Sequence, residues 1–295
     1  MQISANGIRL EVEDHGPASG EPLLLIMGLG MQLLAWHEDF VALLVRRGFR
    51  VIRYDNRDVG LSQYFDEHGR PALGLAAMKH LFHLPVQSAY SLADMAEDAR
   101  GILDALGLAR AHVCGASMGG MIAQHLAARH PERVNSLTLM MTSSGSRRLP
   151  GPNLQMRAAL MSRPANPHEH ASRLAHYTAL YTMIGSPAYP APPGWLEARA
   201  DLALRRSYHP QGMARQLMAI VADGDRTPLL PRIQAPTHVI HGAADPLVPS
   251  AAGQDLARRI QGATLDLIPG MGHDLPEPLW GRFSDGIAAV AQRSR

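Results

Sequence analysis

The chain has 295 residues, 46% of them hydrophobic and 18% charged, which fits one large globular domain or one domain with a sizeable insertion. A formal net charge of only +2 gives no indication of a nucleic-acid partner. The one cysteine, Cys114, excludes an intramolecular disulfide framework and favours a reducing compartment. No signal-peptide pattern opens the chain, and polar residues interrupt its most apolar stretch, so we expect a soluble, cytoplasmic protein without a membrane span.

Short apolar runs alternate with helical patterns in the first half of the chain. Strands are predicted over 8–12, 22–27, 50–54, 111–114 and 134–141, and helices over 40–47, 91–106 and 118–129. The alternation returns near the end, with strands over 238–241 and 264–268 and helices over 254–260 and 281–291. This order predicts a parallel sheet with helices on both faces.

The intervening segment, 145–232, has a different pattern. Prolines punctuate it, no strand alternation is present, and helical patterns cover 154–161, 168–184, 195–206 and 213–222. An all-helical insertion in a parallel sheet is typical of a lid. We therefore predict a core of residues 1–144 and 233–295 and a helical cap of residues 145–232.

A G-x-S-x-G pattern at 115–119 lies between a predicted strand and a predicted helix. A nucleophilic serine on so sharp a turn needs small neighbours, because side chains at the two glycine positions would collide with the backbone. The pattern therefore predicts Ser117 as a nucleophile. The alternative is a tight turn that carries an incidental serine.

A serine nucleophile needs a base and an acid that orients the base. Asp245 follows the strand at 238–241, and His273 follows the strand at 264–268, which is the chain order Ser, acid, His expected when such a site is built on a doubly wound sheet. Both positions lie at carboxyl ends of strands, where sites in such sheets gather. The alternatives are an Asp-Pro turn at Asp245 and a surface-loop histidine at His273.

Attack on a carbonyl also needs two donors for the oxyanion. We predict the backbone N–H groups of Met118, directly after the nucleophile, and of Leu29, in the glycine-containing loop after the strand at 22–27. The competing interpretation of this loop is a dinucleotide-binding turn. It is disfavoured because Leu33 occupies the place of the third glycine.

These features make the chain similar, over about residues 8–290, to serine hydrolases of the α/β-hydrolase superfamily. The segment DNRDVGLS at 55–62 resembles that family's D-x-R-G-x-G-x-S loop, and HPERV at 130–134 resembles its exit from the helix after the nucleophile. The resemblance implies a mostly parallel, doubly wound sheet of about eight strands, a helical cap after the sixth strand, and a triad of Ser117, Asp245 and His273. It implies no cofactor.

Two positions depart from the family pattern. Met27-Gly28 replaces the His-Gly that many relatives have at the oxyanion loop, and Asp58 stands where the second motif usually has glycine. Both features resemble the aclacinomycin methylesterase type, which acts on esters of bulky polyketides. A serine nucleophile disfavours the epoxide hydrolase and dehalogenase branches, which use aspartate.

Methionines and a tryptophan lie close in sequence to the predicted site or on the cap and predict an adaptable apolar pocket, or else core filling. The pocket candidates are Met27, Met31, Trp36, Met121 and Met183. Cys114 and His241, at strand ends, are interpreted as packed core residues. No spacing of His, Asp or Glu indicates a metal site.

The sequence thus predicts a carboxylic ester hydrolase that forms an acyl-enzyme on a small to medium, largely apolar ester. The same triad would also serve a C–C bond hydrolase of ring-cleavage products, a lactonase or a cofactor-free perhydrolase. A ligand-binding protein without turnover is the alternative outside enzymes. The sequence gives no oligomeric state.

Overall fold

A computed structural model describes residues 1–82 and 84–294, apart from the side chains of residues 75, 77, 80 and 81. Its eight-stranded sheet has the order β1-β2-β4-β3-β5-β6-β7-β8. The strands are β1 (Gln2–Ala5), β2 (Ile8–His15), β3 (Glu21–Ile26), β4 (Phe49–Tyr54), β5 (Ala111–Ala116), β6 (Val134–Met140), β7 (Thr237–Gly242) and β8 (Thr264–Ile268). The pairs β1–β2 and β2–β4 are antiparallel. The remaining five pairs, from β4–β3 to β7–β8 in sheet order, are parallel, so the predicted mostly parallel sheet is confirmed.

Alternate residues of the central strands are buried in two hydrophobic cores, one on each face of the sheet. On β3, Leu24 and Ile26 join the core beneath one set of helices, whereas Leu23 and Leu25 join the core on the opposite face. Side chains of a strand point alternately to its two faces, so a strand covered on both sides is apolar throughout. The first face is covered by α3 (Leu92–Ala105), α4 (Met118–Arg129) and α9 (Ala251–Arg259), and the second by α1 (Glu38–Arg46) and α10 (Trp280–Gln292).

The start of α3 shows how local sequence sets these bounds. Ser91 Oγ accepts the N–H of Asp94, and the Asp94 carboxylate accepts the N–H of Ser91, which is the predicted capping box. Two elements escaped prediction. β1 is a four-residue edge strand with a polar outer face, and helix α2 (Leu73–Leu81) follows Ala72, which is not a capping residue.

Four helices lie between β6 and β7, and we call them the cap helices. They are α5 (Leu154–Met161), α6 (His170–Ile184), α7 (Trp195–Arg206) and α8 (Pro210–Asp223). α8 begins three residues before the predicted start, because Pro210 occupies the first turn, where proline is favoured. Among the described residues, the structure has no helix with the length and apolarity that crossing a bilayer requires.

Candidate active site

Ser117 lies on a strained turn between β5 and α4. Its backbone has φ 55° and ψ −119°, which costs roughly 1–3 kcal/mol for a non-glycine residue. A Cβ on Gly115 would lie 2.3 Å from the carbonyl oxygen of Gly119, and a Cβ on Gly119 would lie 2.0 Å from that of Ile26. Any larger residue at either glycine position would therefore collide with the backbone. The turn lifts the Ser117 side chain out of the sheet.

The three predicted catalytic side chains form a chain of hydrogen bonds. His273 Nε2 is 3.0 Å from Ser117 Oγ, and His273 Nδ1 is 2.7 Å from Asp245 Oδ2. The side chain of Asp245 is wholly buried, and its other oxygen accepts the N–H groups of Leu247 (2.9 Å) and Val248 (2.8 Å). These two donors fix the carboxylate, which in turn fixes the imidazole against the serine.

His241 supports this arrangement from the end of β7. It is fully buried, and burial lowers the pKa of its ring. A neutral ring protonated at Nε2 donates to the carbonyl oxygen of Val248 over 2.8 Å, so His241 holds the turn whose N–H groups bind Asp245. Cys114 is equally buried, contacts Met140 Sδ at 3.6 Å, and has a raised thiol pKa because of burial, so it is a packing residue.

The loop after β3, residues 28–31, runs directly beside the nucleophile, and we call it the oxyanion loop. A Cβ on Gly28 would lie 3.1 Å from Ser117 Cβ. Within the described residues the N–H of Leu29 has no hydrogen-bond acceptor, and Met118 is the first residue of α4, so its N–H has no intrahelical acceptor. The N–H groups of the two predicted oxyanion donors are therefore both without an acceptor among the described residues.

The five predicted pocket residues lie in three different environments. Met27 is buried in the core, while Met31, in the oxyanion loop, and Met121, one turn after Ser117 on α4, are half-buried. Trp36 is 0% exposed and its ring stacks on that of Phe40, with the centroids 6.0 Å apart, so its side chain packs in the core.

Met183 also lies elsewhere. It is 38% exposed, in a groove of the cap helices together with Leu174 and Thr178. Two cap residues outside the predicted pocket instead contact the oxyanion loop. Tyr181 Oη lies 3.6 Å from Met31 Sδ, and Met213 packs against Gly30.

The segment 55–62 braces the oxyanion loop from the core. Asp55 accepts the N–H of Leu33 at 2.7 Å and that of Leu61 at 2.9 Å, and Asn56 Nδ2 donates to the carbonyl oxygen of Met27 at 2.9 Å. Burial raises the pKa of Asp55, although the guanidinium of Arg206 opposes the shift.

Asp58, which departs from the family pattern, has φ 70° and so occupies the left-handed region that glycine favours. Its carboxylate receives two hydrogen bonds from Arg215 of α8, at 2.8 and 2.7 Å. Burial alone would raise the pKa of Asp58, but the hydrogen bonds from Arg215, Phe65 and Tyr90 hold it below its ordinary value. The replacement of glycine thus supplies an anchor for the cap.

A second cap contact holds the loop after β8, which carries His273. The N–H of His273 donates to the carbonyl oxygen of Ile184 at 2.7 Å, and Ser186 Oγ accepts the N–H of Gly272 at 2.8 Å while donating to Asp274. Sequence reasoning did not identify Ser186 or Arg215. Their partners lie 88 and 157 residues away along the chain, and no local pattern marks such contacts.

Known proteins share this architecture. The family model described as the alpha/beta hydrolase fold matches residues 21–277. The rhodomycin D methylesterase DnrP of Streptomyces peucetius is 30% identical over 94% of each chain. A pimeloyl-[acyl-carrier protein] methyl ester esterase of Chromobacterium violaceum is 35% identical over 62% of this chain and 69% of its own. The crystal structure of the enol-lactonase from Burkholderia xenovorans LB400 superposes with a TM-score of 0.76, at 25% identity over 99% of this chain and all of the other. The match of the family model to most of the chain, together with the sheet order and the turn at Ser117, shows that the chain belongs to the α/β-hydrolase family of enzymes.

Proposed function

We propose that this protein is a serine carboxylic ester hydrolase. The observation that carries the proposal is the continuous hydrogen-bond chain from Ser117 through His273 to Asp245, at 3.0 and 2.7 Å. Two relatives named as methyl ester esterases support the choice of ester as the substrate class.

In the proposed first half-reaction, His273 Nε2 removes the proton from Ser117 Oγ as the oxygen attacks the ester carbonyl carbon. The N–H groups of Leu29 and Met118 bind the oxyanion, and Asp245 stabilises the imidazolium. When the tetrahedral intermediate collapses, His273 returns its proton to the leaving alcohol, and the acyl group stays on Ser117 as an ester.

In the second half-reaction, water takes the place of the alcohol. His273 removes a proton from the water, whose oxygen attacks the acyl carbon and forms a second tetrahedral intermediate. The bond to Ser117 then breaks, His273 gives the proton to the serine oxygen, and the carboxylic acid leaves.

The proposed substrate is a small to medium, largely apolar ester, bound between the core and a cap of residues 145–232. Tyr181 and Met213 of the cap contact the oxyanion loop, and the half-buried Met31 and Met121 lie close in sequence to that loop and to Ser117. Long, flexible methionine side chains suit acyl groups of varied shape.

A lactone is the second candidate substrate, because the Burkholderia xenovorans structure is that of an enol-lactonase. The chemistry differs in one respect only. The alcohol formed when the ring opens stays tethered to the acyl group, so it remains in the site until water releases the acyl-enzyme.

The proposal is tested with a Ser117→Ala variant and a panel of methyl esters and lactones. We expect kcat to fall by about 10³-fold or more, because the nucleophile is lost while the fold is kept. Intact mass after treatment with a fluorophosphonate should show one adduct in the wild type and none in S117A.

Ser284→Ala is the matched control, because Ser284 is also a buried serine but donates to the carbonyl oxygen of Gly281 within α10. This variant should be labelled and should turn over like the wild type. Wild-type turnover in S117A, or an adduct on another residue, would refute the assignment. Faster turnover of lactones than of methyl esters would select the second candidate.

A further inference from the structure

Helix α8 reaches from the cap to the loop beside Ser117. Oε1 of Gln216 accepts the N–H of Gly30 at 2.8 Å, and Nε2 of the same side chain donates to the carbonyl oxygen of Arg57 at 2.7 Å. We propose that Gln216 is a positioning residue for the oxyanion hole, so that the hole is complete only when α8 is docked on the core. This inference rests on the proposed role of the Leu29 N–H.

The orientation of the Gln216 amide is fixed by its partners. An N–H group only donates and a carbonyl oxygen only accepts, so the oxygen of the amide must face Gly30 and its nitrogen must face Arg57. Gln216 is 0% exposed, its bond to Arg57 is buried, and its bond to Gly30 is partly buried. Breaking them would leave the buried carbonyl oxygen of Arg57 without its donor and the partly buried N–H of Gly30 without its acceptor.

Gln216 acts on a peptide plane next to the oxyanion donor. Peptide units are planar, so a bond to the N–H of Gly30 sets the plane that joins Leu29 to Gly30. On the other side, Asn56 binds the carbonyl oxygen of Met27 and sets the plane that joins Met27 to Gly28. The peptide that carries the Leu29 N–H lies between these planes, one held from the core and the other from the cap.

Packing reinforces the hydrogen bond. Gly30 has φ 66°, and a Cβ built on it would lie 2.8 Å from Cγ of Met213, so Met213 occupies the space that any side chain there would need. Met213 of α8 thus packs against the oxyanion loop at Gly30, the same residue whose N–H is bound by Gln216.

α8 itself is held firmly on the core. A Cβ on Gly212 would lie 1.9 Å from the carbonyl oxygen of Asp58, so helix and loop backbones touch. One turn later, Arg215 makes its paired hydrogen bonds to the Asp58 carboxylate. Because these two contacts fix α8 on the 55–62 loop, the position of α8 determines where Gln216 holds Gly30.

The test replaces Gln216 by Met, which keeps the length of the side chain and removes both hydrogen bonds. Loss of one oxyanion donor lowers kcat by about 10²–10³-fold, and here the donor is displaced rather than removed, so we expect a fall of about 10- to 100-fold in kcat with KM changed less than about 3-fold. Phosphonylation of Ser117 by a fluorophosphonate should slow by a similar factor, because its phosphoryl oxygen uses the same donors.

Gln124→Met is the matched control. Gln124 is also 0% exposed and its amide also makes two hydrogen bonds, but its partners, the carbonyl oxygen of Ser143 and Nε of Arg226, lie outside the oxyanion loop. It should lower the melting temperature about as much as Gln216→Met while keeping kcat. Met213→Ala, which removes only the packing contact with Gly30, should give a smaller fall in kcat in a fully folded protein.

Equal phosphonylation rates in the wild type and in folded Gln216→Met would overturn the inference. Absence of labelling in the wild type would instead overturn the proposed function, and hydrogen exchange would then decide the inference by itself. Faster exchange of the 27–33 segment in Gln216→Met than in Gln124→Met supports it, and equal exchange refutes it.

Discussion

Asp58→Asn isolates the ion pair that docks α8. Asparagine tolerates the left-handed backbone at this position and has the size of aspartate, so the change is mainly one of charge. Its Oδ1 can still accept from Phe65 N–H and from Arg215 Nη2, but an NH₂ group replaces the oxygen that accepts Arg215 Nε and the Tyr90 hydroxyl.

The expected cost follows from those two lost bonds. Both lost bonds are made to the charged carboxylate, and a hydrogen bond to a charged group contributes about 1.5–3 kcal/mol, so the free energy of unfolding should fall by about 3–6 kcal/mol at pH 7. The pKa of Asp58 is lowered in the folded state. Ionised Asp58 therefore makes its full contribution to stability at any pH above the ordinary pKa of aspartate, and this contribution is lost as the pH falls through the lower pKa of the folded state. The loss of stability caused by Asp58→Asn should be constant from pH 7 to 5 and should shrink below about pH 4.

Urea denaturation followed by tryptophan fluorescence at pH 7, 5 and 3.5 measures this cost. Asp98→Asn is the matched control: Asp98 also pairs with an arginine, Arg57, at 2.6 Å, but burial raises its pKa. The difference in the free energy of unfolding between Asp98→Asn and the wild type should therefore grow as the pH falls. A cost below about 1 kcal/mol at pH 7 for Asp58→Asn, or one that does not shrink at pH 3.5, would refute the reasoning.

Two further changes test the backbone of the site. Gly119→Ala forces a Cβ to within 2.0 Å of the carbonyl oxygen of Ile26, so we expect a loss of at least about 1–3 kcal/mol and of nearly all turnover, measured by thermal unfolding and ester hydrolysis. A stable, active G119A would show that the turn can relax. Ser186→Ala removes the hydroxyl that binds Gly272 N–H and Asp274, at an expected cost of about 1–3 kcal/mol. Burial raises the pKa of Asp274 and the Ser186 hydroxyl opposes this shift, so the loss should be larger at pH 8 than at pH 4, and equal melting-temperature losses would contradict it.

The predictable part of this molecule is the part that repeats or that backbone geometry dictates. Buried parallel strands are apolar throughout, and the turn at Ser117 requires glycine two residues before and after it. Asp245 and His273 could be named because each follows the carboxyl end of a strand, and the structure brings both to Ser117. Sheet topology does the work there, since ends of neighbouring parallel strands meet at one edge.

The rest depends on contacts that no local pattern encodes. Gln216 lies 186 residues from Gly30 and has the appearance of any polar residue on an amphipathic helix. Trp36 shows the converse: proximity in sequence to the oxyanion loop suggested a pocket wall, but its side chain turns into the core. Which face of a short segment packs inward is decided by its tertiary neighbours.

The burial of Cys114 has a practical consequence. It is the single cysteine of the chain, and its thiol is both inaccessible and hard to deprotonate. A cysteine introduced at an exposed cap position such as Leu154, which is 83% exposed, would therefore be the one thiol open to maleimide chemistry. Fluorescent or spin labels can then report cap displacement in an otherwise unaltered protein.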